Sequence, residues 1–333
     1  MVVSWKEYTF VVYYYGSTPF LLSSTFIIWC AQMVEKAGEN RLLKHKVMID
    51  IQNIDFSYKG QHLLYSQFSM RFREGGIYGL LGKNGSGKST LLYLISGLLR
   101  PKGGTITFDG ADTCQRSVEV LRDIFIVPEE FDLPDTTLDQ YISMNEPFYP
   151  HFSREVAMQC LSDFELPADL RLGKLSMGQK KKVYMSFALA AGTRVLLMDE
   201  PTNGLDIPSK SQFRKVVARC MTDDRIIVIS THQVHDVEAL LDHVVIVDNG
   251  RKALDAAVAD VCEKYCFGVR KAGDDISDVV YAEQALQGCA VVTERKSGDA
   301  ETELNLELLF DAVAAGKIGM DGAACGCGNC ETI

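Results

Sequence analysis

The sequence predicts an α/β protein with a mixed core sheet that is largely parallel, joined near its start to an antiparallel sheet. Short runs that are apolar at every position recur along the chain: IYGLL at 77–81, IFIV at 124–127, VLLM at 195–198, IIVI at 226–229 and VVIV at 244–247. A strand buried on both faces, as in a parallel sheet, has this unbroken character. Helical periodicity fills several of the intervals, giving the alternation of strand and helix that such an architecture requires. Elsewhere the apolar residues alternate instead, as Ile49, Ile51, Ile54 and Phe56, then Phe68, Met70 and Phe72, then Ile106 and Phe108. These read as half-buried antiparallel strands.

With 333 residues, 47% of them hydrophobic, the chain can fill a large core. Its formal net charge of −10 restricts any nucleic-acid surface to a local patch, and no basic patch stands out, so no nucleic-acid partner is expected. The ten cysteines include singletons such as Cys114, Cys160 and Cys220 in apolar or amphipathic stretches. That usage suits reduced thiols better than a disulfide framework, so the main body is expected to be intracellular.

Three segments are expected. Residues 1–47 form an apolar extension in which Phe10–Ala31 carries no charge. This stretch is long enough to span a bilayer. Lys36, Arg41, Lys44 and Lys46 follow it, so the remainder would lie on the cytoplasmic side. Gly16, Pro19 and several Ser and Thr residues weaken it as a span, and a leader absent from the native product is the other reading. Residues 48–265 form the main domain, and 266–333 a smaller α/β unit. There, a strand-like AVV at 290–292 precedes the charged turn ERKSGD, an amphipathic helix in ELNLELLFDAVAA and a tail reading CGCGNC. Cys325, Cys327 and Cys330 offer three thiolates where a structural zinc site wants four ligands, so the tail is expected to hold no metal.

The chemistry is concentrated after the first of the solid apolar runs. GKNGSGKST, Gly82 to Thr90, fits the phosphate-loop pattern, with a strand before it and the helical STLLYLISGLL after it. Glycines at Gly82, Gly85 and Gly87 let the backbone fold tightly, so that successive N–H groups around Asn84 and Ser86 point inward at a helix N-terminus and cradle an anion. Lys88 is placed to reach the β- and γ-phosphates, and Ser89 to ligate Mg²⁺. A second element agrees: the strand Val195–Met198 runs into Asp199 and Glu200. There Asp199 can hold Mg²⁺ through water and Glu200 can polarise an attacking water. Together the two identify a nucleoside triphosphatase that uses Mg²⁺.

Between them lies Leu175-Ser176-Met177-Gly178-Gln179, directly before the helical KKKVYMSFALAAG. This segment resembles the LSGGQ signature of ABC ATPases, with methionine for the first glycine. Further elements follow in the family's order: Asn203-Gly204-Leu205-Asp206 resembles the D-loop, Thr231-His232 the switch histidine, and Tyr58 the aromatic that stacks on adenine. Singly each has a plain structural reading, Ser176 for example as a helix N-cap. The resemblance covers roughly residues 48–265. In the position of the family's Q-loop glutamine stands Glu129, where a carboxylate can still ligate Mg²⁺.

The resemblance implies that Ser176, Gly178 and Gln179 meet the γ-phosphate bound by another subunit, with two ATP molecules held between two head-to-tail domains. One such domain is present here, so a homodimer, or a heterodimer with a related ATPase, is implied. A permease on a separate chain is implied too, together with a peripheral position on the cytoplasmic face of the membrane. Between Glu129 and Leu175 the family carries a helical subdomain that grips the permease; Phe148, Tyr149 and Phe152 could line that groove as exposed aromatics, with core packing the leading alternative for any one of them. The FYPHF and LSMGQKKK forms and the C-terminal ELNLELLF resemble ATPase subunits of ABC-2 type exporters. A soluble assembly ATPase, as in iron–sulfur cluster assembly, is the other function that these features allow.

Overall fold

A computed structural model describes residues 2–5, 8–11, 46–271, 274–275, 277–285, 288–296 and 298–319. It divides into two compact units, Met1–His45 and Lys46–Ile333. In the first, β1 (Val2–Trp5) and β2 (Tyr8–Val11) pair antiparallel. Beyond Val11 the apolar stretch expected to span a membrane or to be a leader lies outside the described residues, as does the tail with Cys325, Cys327 and Cys330. Among the described residues no helix is long and apolar enough to cross a membrane.

The second unit opens with β3 (Val47–Phe56), β4 (Tyr65–Arg73) and β5 (Gly76–Leu81), then α1 (Lys88–Ile95), β6 (Gly103–Phe108) and β7 (Ala111–Asp112). It begins two positions ahead of the Met48 expected from the sequence: Val47 is already in the strand, and Lys46 pairs with Asp109 at 2.6 Å. Next come α2 (Val118–Leu121), β8 (Ile124–Val127), α3 (Leu138–Asn145), α4 (Arg154–Asp163), α5 (Met177–Ala190), β9 (Val195–Asp199) and α6 (Ile207–Arg219). The chain continues through β10 (Ile226–Thr231), β11 (His243–Asp248), β12 (Arg251–Ala257) and α7 (Val258–Lys264). It closes with β13 (Tyr265–Arg270), β14 (Val279–Ala285), β15 (Gly288–Glu294) and α8 (Leu306–Ala314).

The solid apolar runs all lie in one six-stranded sheet of order β12-β11-β5-β10-β9-β8. Its neighbours pair parallel except β12, which turns back antiparallel along β11. The alternating segments form a separate antiparallel sheet, β4-β3-β6-β7. The difference in pattern follows from what covers each face. Val195 and Leu197 point into an apolar cluster with Ile51, Phe72, Leu91 and Ile106, so α1 and the antiparallel sheet cover that side. Leu196 and Met198 point the other way, into a cluster with Val183, Phe187 and Phe213 from the helices. Both faces of the central strand are therefore dry, which is why neither face tolerates a polar position.

The helices between β8 and β9 form the expected helical subdomain. Thr137 and Gln140 make a capping box at the start of α3, and Ser153 caps α4. Of the three aromatics read as groove lining or core, Phe148 is the exposed one, at 69%. Tyr149 and Phe152 pack inward on Phe187, with ring centroids 6.0 and 5.0 Å apart, because the apolar area of a ring is worth more buried against other rings than wetted. The residues after 265 form a three-stranded antiparallel sheet, β13-β15-β14, and the amphipathic helix α8. Composition suggested a domain apart, yet Phe267, Val292, Leu306 and Leu309 belong to the same apolar cluster as Leu241, Val244 and Ile246.

Candidate functional site

Parallel strands deliver their carboxyl ends to one edge of a sheet, and loops leaving that edge are where such sheets bind ligands. Here the register brings four chain segments together. Leu81 stands opposite Thr231, Ser230 opposite Asp199, and Met198 opposite Val127. The residues that follow these strand ends, from Gly82, from Glu200, from His232 and from Pro128-Glu129, therefore meet at one edge.

The loop after β5 requires glycine for reasons that the geometry makes plain. Gly87 has φ of +108°, and a Cβ built there would stand 2.6 Å from the Tyr65 hydroxyl, which donates to the Gly87 carbonyl at 2.9 Å. A Cβ on Gly82 would meet the Val247 carbonyl at 2.4 Å and Ser86 Oγ at 2.5 Å. Neither position admits a side chain. Ser86 Oγ is itself buried with no hydrogen-bond partner among the described residues. Lys88 is 6% exposed, and its ammonium donates to the carbonyls of Gly82 at 2.8 Å and Lys83 at 3.3 Å. Burial pushes that ammonium's pKa down, against the pull of the nearby carboxylates Glu200, Asp199 and Glu129. A buried cation with only carbonyls to bond, at the start of α1, is a seat for an anion.

Across the cleft, Glu200 sits at φ +45°, a left-handed conformation that costs a non-glycine residue about 1–2 kcal/mol. The strain is held by three bonds. Thr231 Oγ1 donates to Glu200 Oε2 at 3.0 Å, and the His232 backbone N–H donates to Oε1, also at 3.0 Å. The third comes from the His232 ring, whose Nδ1 stands 2.8 Å from Oε1. An ionised carboxylate can only accept, so this contact places the histidine proton on Nδ1 and leaves Nε2 free. Asp199, 1% exposed, accepts from the Ser230 hydroxyl. Asn203 Nδ2 donates to Glu129 Oε1 at 2.9 Å, joining the loop after β8 to the turn after β9.

Tyr58, Asn84, Gly85, Gly87, Lys88, Ser89, Thr90, Glu129, Glu200, Asn203 and His232 line one open cleft of about 1020 Å³, with Gly60, Gln61 and His62 along its wall. Tyr58 is 39% exposed; its hydroxyl lies 3.0 Å from Thr90 Oγ1 and its ring stands at 85° to that of Phe56, centroids 5.1 Å apart. Ser176, Gly178, Gln179 and Asp206 are not among the residues that line this cleft. Ser176 caps α5 in a reciprocal pair with Gln179, and Asp206 caps α6 through the Ser209 N–H. Sequence reasoning gave no role to Lys181, which is buried beneath the turn from Glu200 to Asn203. It stands in a KKK run, a pattern that ordinarily marks a solvated face.

The arrangement fits its expected occupants. The cradle closed to any Cβ, the unpartnered Ser86 Oγ and the buried Lys88 suit a triphosphate. Oxygen donors from Ser89, Asp199 and Glu129 are of the hard kind that Mg²⁺ takes. No group of three His, Cys, Asp or Glu residues stands ready to hold a metal by itself among the described residues.

A glycine-cradled lysine facing a strand-end carboxylate pair, on a parallel sheet, defines a P-loop nucleotide-binding ATPase. The ABC transporter family profile matches residues 65–203. The chain is 31% identical over 227 residues to the methionine import ATP-binding protein MetN of Carboxydothermus hydrogenoformans, covering 64% of this chain and 67% of that protein. It is 30% identical over 231 residues to the Nod factor export ATP-binding protein I of Rhizobium sp. (strain N33), covering 66% of this chain and 74% of that protein. In fold it is similar to the dimeric structure of a bacterial ABC transporter cassette, with a TM-score of 0.56 at 24% identity, covering 63% of this chain and 98% of that one. The chain belongs to the ABC transporter ATP-binding proteins and is an ATPase.

Proposed function

We propose that this chain hydrolyses Mg²⁺-bound ATP as one half of a head-to-tail ATPase dimer and thereby drives a separate membrane permease, in the direction of export. The observation that carries the reading is Glu200, held by Thr231 and His232 on the far wall of the cleft from Lys88. Lys88 and the loop amides hold the β- and γ-phosphates, Tyr58 stacks on the base, and Ser89, Asp199 and Glu129 hold Mg²⁺, which neutralises charge developing on the phosphates. Glu200 takes a proton from the attacking water, while the His232 ring, bonded through Nδ1, holds the carboxylate in place.

The dimer reading rests on Ser176, whose exposed hydroxyl caps a helix outside the cleft. In the cap the Ser176 oxygen accepts from Gln179, so its own proton is left to donate to a phosphate brought by a second subunit. Gly178 follows it in that role with its backbone N–H, and Gln179 and Asp206 complete the face that meets the second subunit. The permease reading is supported by a groove of about 410 Å³ beside the helical subdomain, lined by Leu98, Val118 and Phe148, with Arg116 and Arg122. Exposed apolar side chains rimmed by cations suit a short cytoplasmic helix of a membrane partner. The chain then works as a peripheral subunit on the cytoplasmic face. Export is the reading favoured by the ABC-2 features and by the Nod factor export relative.

Glu200→Gln keeps the shape of the side chain and removes its basicity, so hydrolysis should fall by roughly 10²- to 10⁴-fold. The unhydrolysed nucleotide should hold two chains together, seen as a dimer in ATP and a monomer in ADP by light-scattering chromatography. Lys88→Ala should abolish both activity and dimer. Full activity in Glu200→Gln would remove Glu200 from the reaction. An inactive variant that remains monomeric in ATP would reject self-dimerisation in favour of a related ATPase as partner.

A further inference from the structure

Three consecutive lysines open the second turn of α5, and each meets a different partner. Lys180 pairs with Asp132 at 2.8 Å. Lys182 lies over the Phe164 ring, 5.9 Å from its centroid. The middle one turns inward: Lys181 is 7% exposed, and its ammonium donates to the carbonyls of Glu200 at 3.0 Å and Asn203 at 2.9 Å. The Glu200 carbonyl also accepts from the Asn203 backbone N–H at 3.2 Å, so Lys181 closes over both ends of a single tight turn. Glu200 is the residue in that turn with the strained backbone.

Burying an ammonium is costly, and carbonyls alone do not repay it. Glu129, Glu200 and Asp199 all lie near enough to favour its charge, although burial still pulls its pKa below the ordinary lysine value. An apolar side chain would fill the same space without that cost. What only a long cation can do here is hold two carbonyls at once from a neighbouring helix. The same helix is capped by Ser176, and a Cβ built on Gly178 would stand 3.6 Å from the carbonyl of Gly204, the residue after this turn, so the N-terminus of α5 runs close beside it.

We infer that Lys181 is a positioning residue for hydrolysis: it fixes the Glu200–Asn203 turn to α5, so that the Glu200 carboxylate is aimed only while the helix bearing Ser176 is seated. This rests on Glu200 being the base and Ser176 meeting the second subunit's nucleotide. The consequence is communication between two sites. A nucleotide docking at the N-terminus of α5 shifts that helix as a rigid rod, and the shift reaches the carboxylate of the other site through one ammonium. Asn203, bonded on its far side to Glu129, carries the same displacement to the loop after β8.

The test is Lys181→Met, which keeps most of the stem and removes the donors, measured in the full chain beside Lys181→Arg. Misplacing a catalytic group by about 1 Å costs on the order of a hundredfold, so kcat should fall between about tenfold and a hundredfold while KM for ATP stays within about threefold. Arginine, long enough to reach both carbonyls, should restore kcat to within about fivefold. On the Glu200→Gln background Lys181→Met should produce no further loss, because the group it aims is already gone. A Lys181→Met enzyme turning over within twofold of the parent overturns the inference, as does an equal fractional loss on both backgrounds. If the methionine variant does not fold, Lys181→Gln, with a shorter donor, should show the same lowered kcat at unchanged KM, and a normal kcat there overturns it. Failure of the underlying reading is seen separately, as full hydrolysis by Glu200→Gln alone.

Discussion

His232 touches Glu200 twice through one oxygen: its backbone N–H and its ring Nδ1 both reach Glu200 Oε1, at 3.0 and 2.8 Å. The ring is about one-third exposed and the carboxylate is buried, so the histidine forms the solvent side of a base whose other side is Thr231. Replacing His232 by alanine keeps the backbone bond and removes the ring. Glu200 then loses its lateral restraint, and kcat should fall by roughly 10²-fold with ATP affinity nearly unchanged. Single-turnover kinetics alongside nucleotide titration separates the two; a proportional loss of affinity would show that the ring binds nucleotide and does not position the base.

Glu129 adds a carboxylate to a cleft that is already lined by Glu200 and must receive a triphosphate. Glutamine at this position retains an oxygen to accept from Asn203 and removes the charge. Two unit charges about 4 Å apart in a surface cleft interact by roughly 4 kcal/mol before screening. Without Mg²⁺, relief of even a fraction of that repulsion should tighten ATP binding in Glu129→Gln by about threefold to tenfold at low salt, and by less at high salt. With Mg²⁺ the gain should vanish, because the parent's Glu129 then holds the ion; a gain of the same size with and without Mg²⁺ would remove Glu129 from the ion's ligands.

Asp255 on β12 accepts from His243 at 2.7 Å and from Lys252 at 2.6 Å. Burial works to raise the pKa of its carboxyl, but the two donors outweigh it and hold the group below the usual carboxylate range. A carboxyl whose pKa is lower in the folded state contributes stability above its unfolded value, near 3.9, and loses it as pH falls through the folded one. Asp255→Asn should therefore melt several degrees below the parent at pH 7, for a loss of about 1–3 kcal/mol. The gap should narrow as pH drops below about 4. A gap independent of pH would assign the loss to packing, not to charge.

Much of this architecture was legible because its determinants are local. Val195–Met198 declares a strand with two dry faces in four residues, and Gly82–Thr90 declares a phosphate cradle because glycine and lysine there have no other common use. The ends of those strands fix Glu200 and His232 at one edge without any knowledge of helix packing. What stayed hidden depends on contacts between distant segments. Nothing in KKK distinguishes Lys181 from its neighbours, since burial is decided by how α5 lies against the turn after β9. Which of Phe148, Tyr149 and Phe152 packs inward was open for the same reason, the partner Phe187 being far along the chain.

The joining of the C-terminal segment to the main body has a consequence for cooperativity. Leu306 and Leu309 of α8 have no core of their own; their neighbours in the apolar cluster include Leu241, Val244 and Ile246. The helix is also fastened by its first N–H, from Leu306 to the Glu238 carboxylate at 2.5 Å, in the short turn that follows His232. A segment held this way cannot stay folded when the sheet opens, and the sheet cannot shed it without wetting β11, the strand paired directly with β5 at the base of the phosphate loop. The extension therefore behaves as part of one all-or-none folding unit with the catalytic sheet, and its loss would be transmitted to the loop that holds ATP.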